Sequence, residues 1–274
     1  VSDSVYNPLV ILFPRLVMTI EYTGSIKGSV RKHTDDSLKA TFDHAYCVIP
    51  NPGGAPIVSE LSTLPPIEGL YPVVLFMHGS SGVNEQTRLL GNWLADSLGV
   101  AMVVPDSMQL ADRITYSSPI PPEDYEDIHA MRLQELEYAM AHIFDLSFND
   151  GRVFIAGTSE GGVCVARYET REEYPEDARM IFSWSCEDNY HVKAHGTNIP
   201  DYMPVLNIMS AADKFFSQKN SYLNNPSAQG HAGKALENNP NARILLLPTA
   251  PHTLFNLPVA RAAIKNFIDE VLKY

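Results

Sequence analysis

The stretch Arg152-Val-Phe-Ile-Ala-Gly157-Thr158-Ser159-Glu160-Gly161-Gly162 constrains this chain more than any other. It starts as an apolar run at residues 153–156 and meets a glycine, a serine two positions on, and two more glycines. A buried-type strand that ends in G-x-S-x-G, followed by a helix-compatible segment at 163–167, makes a sharp turn that lifts one hydroxyl above a sheet. Such a turn strains the backbone of Ser159. It also leaves no space at Gly157 and Gly161, where a side chain would collide with the neighbouring strand and helix.

The flanking sequence supplies the rest of a sheet. Residues 73–77 are continuously apolar, as in a strand buried on both faces. Leu90, Leu94 and Leu98 recur at helical spacing beside Trp93, and 100–104 reads as the next strand. A helix over about 127–146 puts Leu133, Leu136, Met140 and Ile143 on one stripe. Beyond the elbow, strands are predicted at 180–184, 204–209 and 244–247. A last helix starts near Pro258 and buries Ile264, Phe267, Ile268 and Val271. Strands alternating with helices predict an α/β chain with a mostly parallel central sheet covered by helices on both faces. The first 70 residues read as a β-rich segment, with strands at 17–22 and 40–49 punctuated by Gly24, Gly28 and Asp35-Asp36. Repeats and low-complexity linkers are missing, so 1–274 reads as one domain.

Charge and cysteine content narrow the function classes. A net charge of -12 argues against nucleic acid, whose phosphates need a basic surface, and against anionic membranes. No apolar run reaches the ~18 residues of a membrane span. Cys47, Cys164 and Cys186 are too few for a disulfide framework and match no zinc spacing, which favours a reducing, cytoplasmic setting. A periplasmic or secreted location after signal removal is left open, as is a homodimer.

In a parallel sheet, sites form at the carboxyl ends of the strands. A serine hydroxyl needs a histidine base, itself oriented by a carboxylate. Of the nine histidines, His252 follows the strand at 244–247. Asp213 follows the strand at 204–209, so Ser159, Asp213 and His252 all lie at strand ends. Asp188 is the rival acid, because it follows the strand next after the elbow strand. The turn Met77-His78-Gly79-Ser80-Ser81-Gly82 closes an earlier strand. Attack by Ser159 would leave negative charge on a carbonyl oxygen. The backbone N–H of Glu160 and that of Ser80, or else Ser81, would stabilise it, each by about 3 kcal/mol. His78 reads as a brace for the turn.

These residues resemble the dienelactone hydrolase-like branch of the α/β-hydrolases: His78-Gly79-Ser80-Ser81-Gly82, the elbow around Ser159, Asp213 and His252. The resemblance covers roughly 72–274 and leaves the first 70 residues unexplained. It implies the α/β-hydrolase fold, a Ser159–His252–Asp213 triad, a small-molecule ester substrate, and neither cofactor nor metal. The dienelactone hydrolases proper carry a cysteine nucleophile, so Ser159 points instead to a serine esterase. Cys164, one helical turn on, should face the core. A thioesterase or small peptidase with the same triad, and a non-catalytic ligand-binding protein on the fold, are the rivals.

Many α/β-hydrolases insert a helical lid after the strand that follows the elbow. Here 184 and 204 are too close for more than a small one. The pocket walls are expected from the excursion at 107–126, with Tyr116, Tyr125, Pro121 and Pro122, and from Trp184, Cys186 and Glu187. Such walls predict a compact pocket for short-acyl or small aryl esters. Glu160, if it faced that pocket, would disfavour anionic substrates. His191 and His195 share a helical zinc spacing, but no third ligand is evident.

Overall fold

Continuously apolar strands need cover on both faces, and the computed structural model, which describes residues 20–273, gives it to them. The strands are β1 (Ser25–Lys27), β2 (Tyr46–Ile49), β3 (Ile57–Glu60), β4 (Tyr71–Met77), β5 (Ala101–Val104), β6 (Thr115–Ser117), β7 (Asn149–Thr158), β8 (Ala178–Phe182), β9 (Val205–Ser210) and β10 (Ala242–Leu247). The helices are α1 (Asp35–Asp43), α2 (Glu85–Trp93), α3 (Pro122–Ile143), α4 (Glu160–Arg167) and α5 (Pro258–Val271). Eight strands form one sheet in the order β10-β9-β8-β7-β4-β5-β2-β3. Every pairing from β10 to β5 is parallel, and β2 and β3 add an antiparallel edge.

The pleat divides the sheet's side chains between two cores. Val73, Leu75, Val153 and Ile155 pack on one face with Phe42 of α1, Met131 and Met140 of α3, and Val163 of α4. Val74, Phe76, Phe154, Phe182 and Ile208 pack on the other with Leu90 of α2 and Ile264, Phe267 and Ile268 of α5. Each large side chain fully buried this way contributes roughly 1.5–3 kcal/mol. The predicted mostly parallel sheet between two helical layers is therefore what forms.

The N-terminal segment is strand-rich, but residues 40–43 are helical rather than extended. Thr34 Oγ1 accepts from the Ser37 N–H at 3.2 Å, and Ser37 Oγ accepts from the Thr34 N–H at 2.8 Å. This reciprocal cap starts α1, and Asp35 and Asp36, read as punctuation, occupy its first turn, where carboxylates suit the exposed N–H groups. Of the expected strand at 17–22, residues 17–19 lie outside the described residues, and 20–22 carry no regular structure. Its strands extend the main sheet, where β2 pairs with β5 and β3 with β2, while β1 pairs with β6 in a separate two-stranded sheet.

α3 begins at Pro122, earlier than its apolar stripe suggests, because Pro122, Glu123 and Asp124 make a favourable first turn. Segment 183–204 holds no helix. Among the described residues no helix is long and apolar enough to cross a membrane.

Candidate active site

Ser159 sits where β7 stops and α4 starts. Its φ is 55° and its ψ is -118°, and its N–H donates to the Phe182 carbonyl at 2.9 Å. A residue with a Cβ held there carries strain of about 1–3 kcal/mol. Two glycines make the turn feasible. A Cβ on Gly157 would stand 2.4 Å from the Gly161 carbonyl oxygen, and one on Gly161 would stand 2.0 Å from the Met77 carbonyl oxygen. Both obstacles are backbone, so neither can swing aside. Gly161→Ala is therefore expected to destabilise the fold by about 3 kcal/mol, the upper end of overpacking costs, measured as a lower midpoint in denaturant. A variant that unfolds with the wild type would show that β4 and α4 can separate freely.

His252 and Asp213 meet at the same end of the sheet. His252 Nδ1–H donates to Asp213 Oδ2 at 2.7 Å, leaving Nε2 for a nucleophile. Asp213 is fully buried, and its other oxygen accepts from the N–H groups of Phe215 (2.8 Å) and Phe216 (2.9 Å). Burial alone would raise the Asp213 pKa. The bond from His252, the charge of His252 and the two backbone donors outweigh it, so the net direction is down. The His252 loop is pinned at its backbone. Ser183 Oγ donates to the His252 carbonyl, and Ser210 Oγ donates to the Ala250 carbonyl at 2.7 Å. Asp188, the rival acid, is exposed and accepts from the His195 N–H at 2.7 Å.

The turn after β4 lies against the elbow. A Cβ on Gly79 would be 3.6 Å from Ser159 Cβ. The Gly82 N–H closes the turn on the Gly79 carbonyl at 3.1 Å. Glu160 is the first residue of α4, so its N–H has no acceptor within the helix. The Glu160 side chain turns away from substrate space and pairs with buried Arg113 at 2.7 Å. It cannot screen out anionic substrates as a pocket wall would. His78 is buried: its Nδ1–H donates to the Gly79 carbonyl at 2.6 Å and its Nε2 accepts from the Ser107 N–H at 3.1 Å.

A cavity of about 450 Å³ opens over Ser159 and His252. Tyr116, expected as a wall, borders it, and so do Ser80 and Ser81, expected as oxyanion donors. Trp184, Cys186 and Glu187 do not. The chain bends away from β8 at two positive-φ residues, Ser183 (52°) and Cys186 (53°). Trp184 is fully buried, edge-on to Phe216 at 5.0 Å, one layer behind the wall. Cys186 and Glu187 border a separate cavity of about 860 Å³, to which Pro122 also belongs. Tyr125 likewise stands behind Tyr116, ring centroids 5.1 Å apart.

Besides Gly79 and Thr158 of the turn and the elbow, the remaining walls are Asn84, Thr87, Ser117, Ser118, Tyr190, His191, Lys214, Phe215, Phe216, Thr253 and Phe255. Ser117 and Ser118 lie in the 107–126 excursion from which walls are expected, and the sequence reading missed the others. Phe215 and Phe216 were within reach of it, two and three positions past Asp213, and Thr253 directly follows His252. His191 faces an aromatic cluster, 4.0 Å from the Tyr125 ring, whereas the His195 ring contacts Thr197. Among the described residues no group of three or more His, Cys, Asp and Glu side chains is placed to hold a metal.

No protein-family model and no curated protein matches the chain. Solved structures do. Est1E from Butyrivibrio proteoclasticus with ferulic acid bound aligns over 84% of this chain and 95% of its own, with 15% identity and a TM-score of 0.57. A putative dienelactone hydrolase from Klebsiella pneumoniae subsp. pneumoniae aligns over 76% and 90%, with 19% identity and a TM-score of 0.53. Esterase PE8 aligns over 74% and 94%, with 16% identity and a TM-score of 0.50.

The chain has the α/β-hydrolase fold.

In α/β-hydrolases the nucleophile rides on a strand-to-helix elbow, and acid and base follow it in chain order. This chain presents Ser159 on such an elbow, with Asp213 and His252 paired beyond it. The Gly79 turn lies at the end of β4, beside the elbow strand in the sheet.

Proposed function

We propose that the protein is a serine hydrolase that cleaves carboxylic esters of small substrates through an acyl-serine intermediate. One observation carries the reading: a strained serine, a turn packed against it, and a histidine held from behind by buried Asp213 meet at one cavity. In the proposed reaction, His252 Nε2 takes the Ser159 proton as Oγ attacks the carbonyl carbon. The oxyanion accepts from the Glu160 N–H and the N–H of Ser80, or of Ser81. His252 returns the proton to the departing alcohol. Water, activated by the same imidazole, then releases the acid. Esterase and dienelactone hydrolase neighbours on this fold are in keeping with ester chemistry.

Cavity size and lining set the substrate expectation. About 450 Å³ walled by Tyr116, Tyr190, Phe215, Phe216 and Phe255 suits a short or flat acyl group, and segment 183–204 adds no helical lid. The neighbour with ferulic acid bound is a precedent for an aryl acid on this fold. Purified protein is expected to hydrolyse p-nitrophenyl acetate, butyrate and benzoate, and to lose about tenfold or more in kcat/KM by the palmitate ester, since overpacking costs about 1–3 kcal/mol. Matched thioesters and anilides in the same screen separate the thioesterase and peptidase readings. A kcat/KM that climbs steadily to palmitate would overturn the compact pocket. Faster anilide than ester cleavage would overturn ester specificity.

A further inference from the structure

The proposed reaction leaves one set of buried charges unused. Arg113, Arg132, Glu135 and Glu160 all lie buried under the elbow and the Gly79 turn. Taking ions out of water costs several kcal/mol each, recovered only through good pairing. Arg113 Nη2 donates to Glu160 Oε1 at 2.7 Å, and Arg113 Nε donates to Ser107 Oγ at 2.7 Å. Ser107 Oγ passes its own hydrogen to Glu135 Oε1 at 2.6 Å. Arg132 Nε lies 3.2 Å from Glu135 Oε2 and 3.8 Å from Glu160 Oε1, ion pairs without hydrogen-bond geometry. Arg132 Nη2 donates to the His78 carbonyl at 3.0 Å, and Nη1 lies 3.0 Å from His78 Nε2. Burial first, and Arg132 second, hold His78 well below the ordinary histidine range, so its ring is neutral.

The contacts of Arg132 reach both segments that carry the proposed oxyanion donors. His78 directly precedes Gly79 and Ser80, and Glu160 carries the other N–H. We infer that Arg132 is a positioning residue of the oxyanion hole: it fixes the two donor-bearing segments relative to each other. The inference rests on the serine-hydrolase reading. The donors belong to different elements, the turn after β4 and the start of α4, and the β4–β7 ladder ends before both, at Met77 and Gly157. A guanidinium presents its nitrogens in a fixed plane, so one side chain can meet the His78 carbonyl and the carboxylates together. A lysine ammonium is a single point of charge and cannot hold the same fork.

The segment outside the family resemblance completes this device. His33 Nε2–H donates to Glu135 Oε1 at 2.8 Å. Burial would raise the Glu135 pKa. The Arg132 charge and the bonds from His33 and Ser107 outweigh it, so Glu135 stays an anion opposite Arg132 at neutral pH.

The test compares wild type with Arg132→Lys and Arg132→Met. Active sites are counted with a fluorophosphonate. Then kcat and KM are measured on a small ester, together with affinity for a trifluoromethyl ketone analogue, whose adduct on serine carries an oxyanion. Both variants are expected to lose about 100-fold in kcat per titrated site, as when one oxyanion donor is removed, with KM little changed. Ketone affinity should fall in proportion to kcat/KM, with Lys retaining more than Met. Wild-type kcat per site and wild-type ketone affinity would overturn the inference and leave Arg132 a scaffold residue. If neither variant folds, Arg113→Lys, which disturbs the Glu160 partner together with the Ser107 and Ile114 bonds and leaves Arg132 in place, decides by the same ketone measurement: a drop supports the inference, and unchanged affinity overturns it. Wild-type protein that takes no label at Ser159 would overturn the hydrolase reading itself, and this inference with it.

Discussion

Ser159→Ala is expected to remove ester turnover, with kcat about a million-fold lower, the scale seen when a catalytic serine is lost. Alanine keeps a Cβ and thus the same backbone strain, so the variant should unfold with the wild type. A fluorophosphonate should add one adduct to the wild type, mapped to Ser159 by peptide mass, and none to the variant. Adduct on the variant would remove Ser159 from the mechanism. Thiol chemistry offers no detour. Cys164 and Cys186 are buried, and burial pushes each thiol up to about 12, so neither supplies a thiolate near neutral pH. Alkylating reagents applied to the folded protein should leave activity intact.

Asp213→Asn is expected to lower kcat about ten-thousand-fold at neutral pH. The geometry says why an isosteric change is so damaging. The N–H groups of Phe215 and Phe216 both point at Oδ1, so an amide must place its oxygen there. Its NH₂ then faces His252 at the Oδ2 position and can only donate. The imidazole must turn Nδ1 into an acceptor and carry its proton on Nε2, where the Ser159 hydrogen has to go. Stopped assays across pH would show the loss in kcat with little change in KM. Asp188→Asn is the control and should keep wild-type kcat. If that variant collapses and Asp213→Asn does not, the acid belongs to the loop after β8.

How legible the site was depended on how local its causes were. The elbow was legible because the glycines, the serine and the apolar run are contiguous and each answers a steric demand. Asp213 and His252 could be placed because a parallel sheet gathers strand ends, whatever the loops do afterwards. The walls were harder. Trp184, Cys186 and Glu187 follow β8 directly, yet Ser183 and Cys186 take positive φ and carry that segment elsewhere. A dihedral sign of this kind is set by tertiary packing and leaves no mark at non-glycine positions. α1 was misread for another reason: Thr34 and Ser37 make a cap that competes with the extended reading of the β-branched and aromatic residues after it. Arg132 and Glu135 sit on α3 at the spacing of an ordinary solvated ion pair. Only their partners on other elements, His78, His33 and Ser107, reveal that they are interior.

Ser159 has a consequence for how such a chain persists over generations. Among the described residues, five non-glycine positions take positive φ: Asp112, Ser159, Ser183, Cys186 and Asn224. Asp and Asn tolerate that region, whereas Ser159, Ser183 and Cys186 gain nothing from it locally; Ser159 and Ser183 directly follow β7 and β8, and Cys186 lies three positions past Ser183. Selection for foldedness alone would drift these positions toward residues that relax the backbone, because most proteins sit only just above the stability they need. A lineage released from its chemistry would be free to make that exchange within a few substitutions. On the proposed reading, Ser159 persists because each generation is tested on its reaction as well as on its fold.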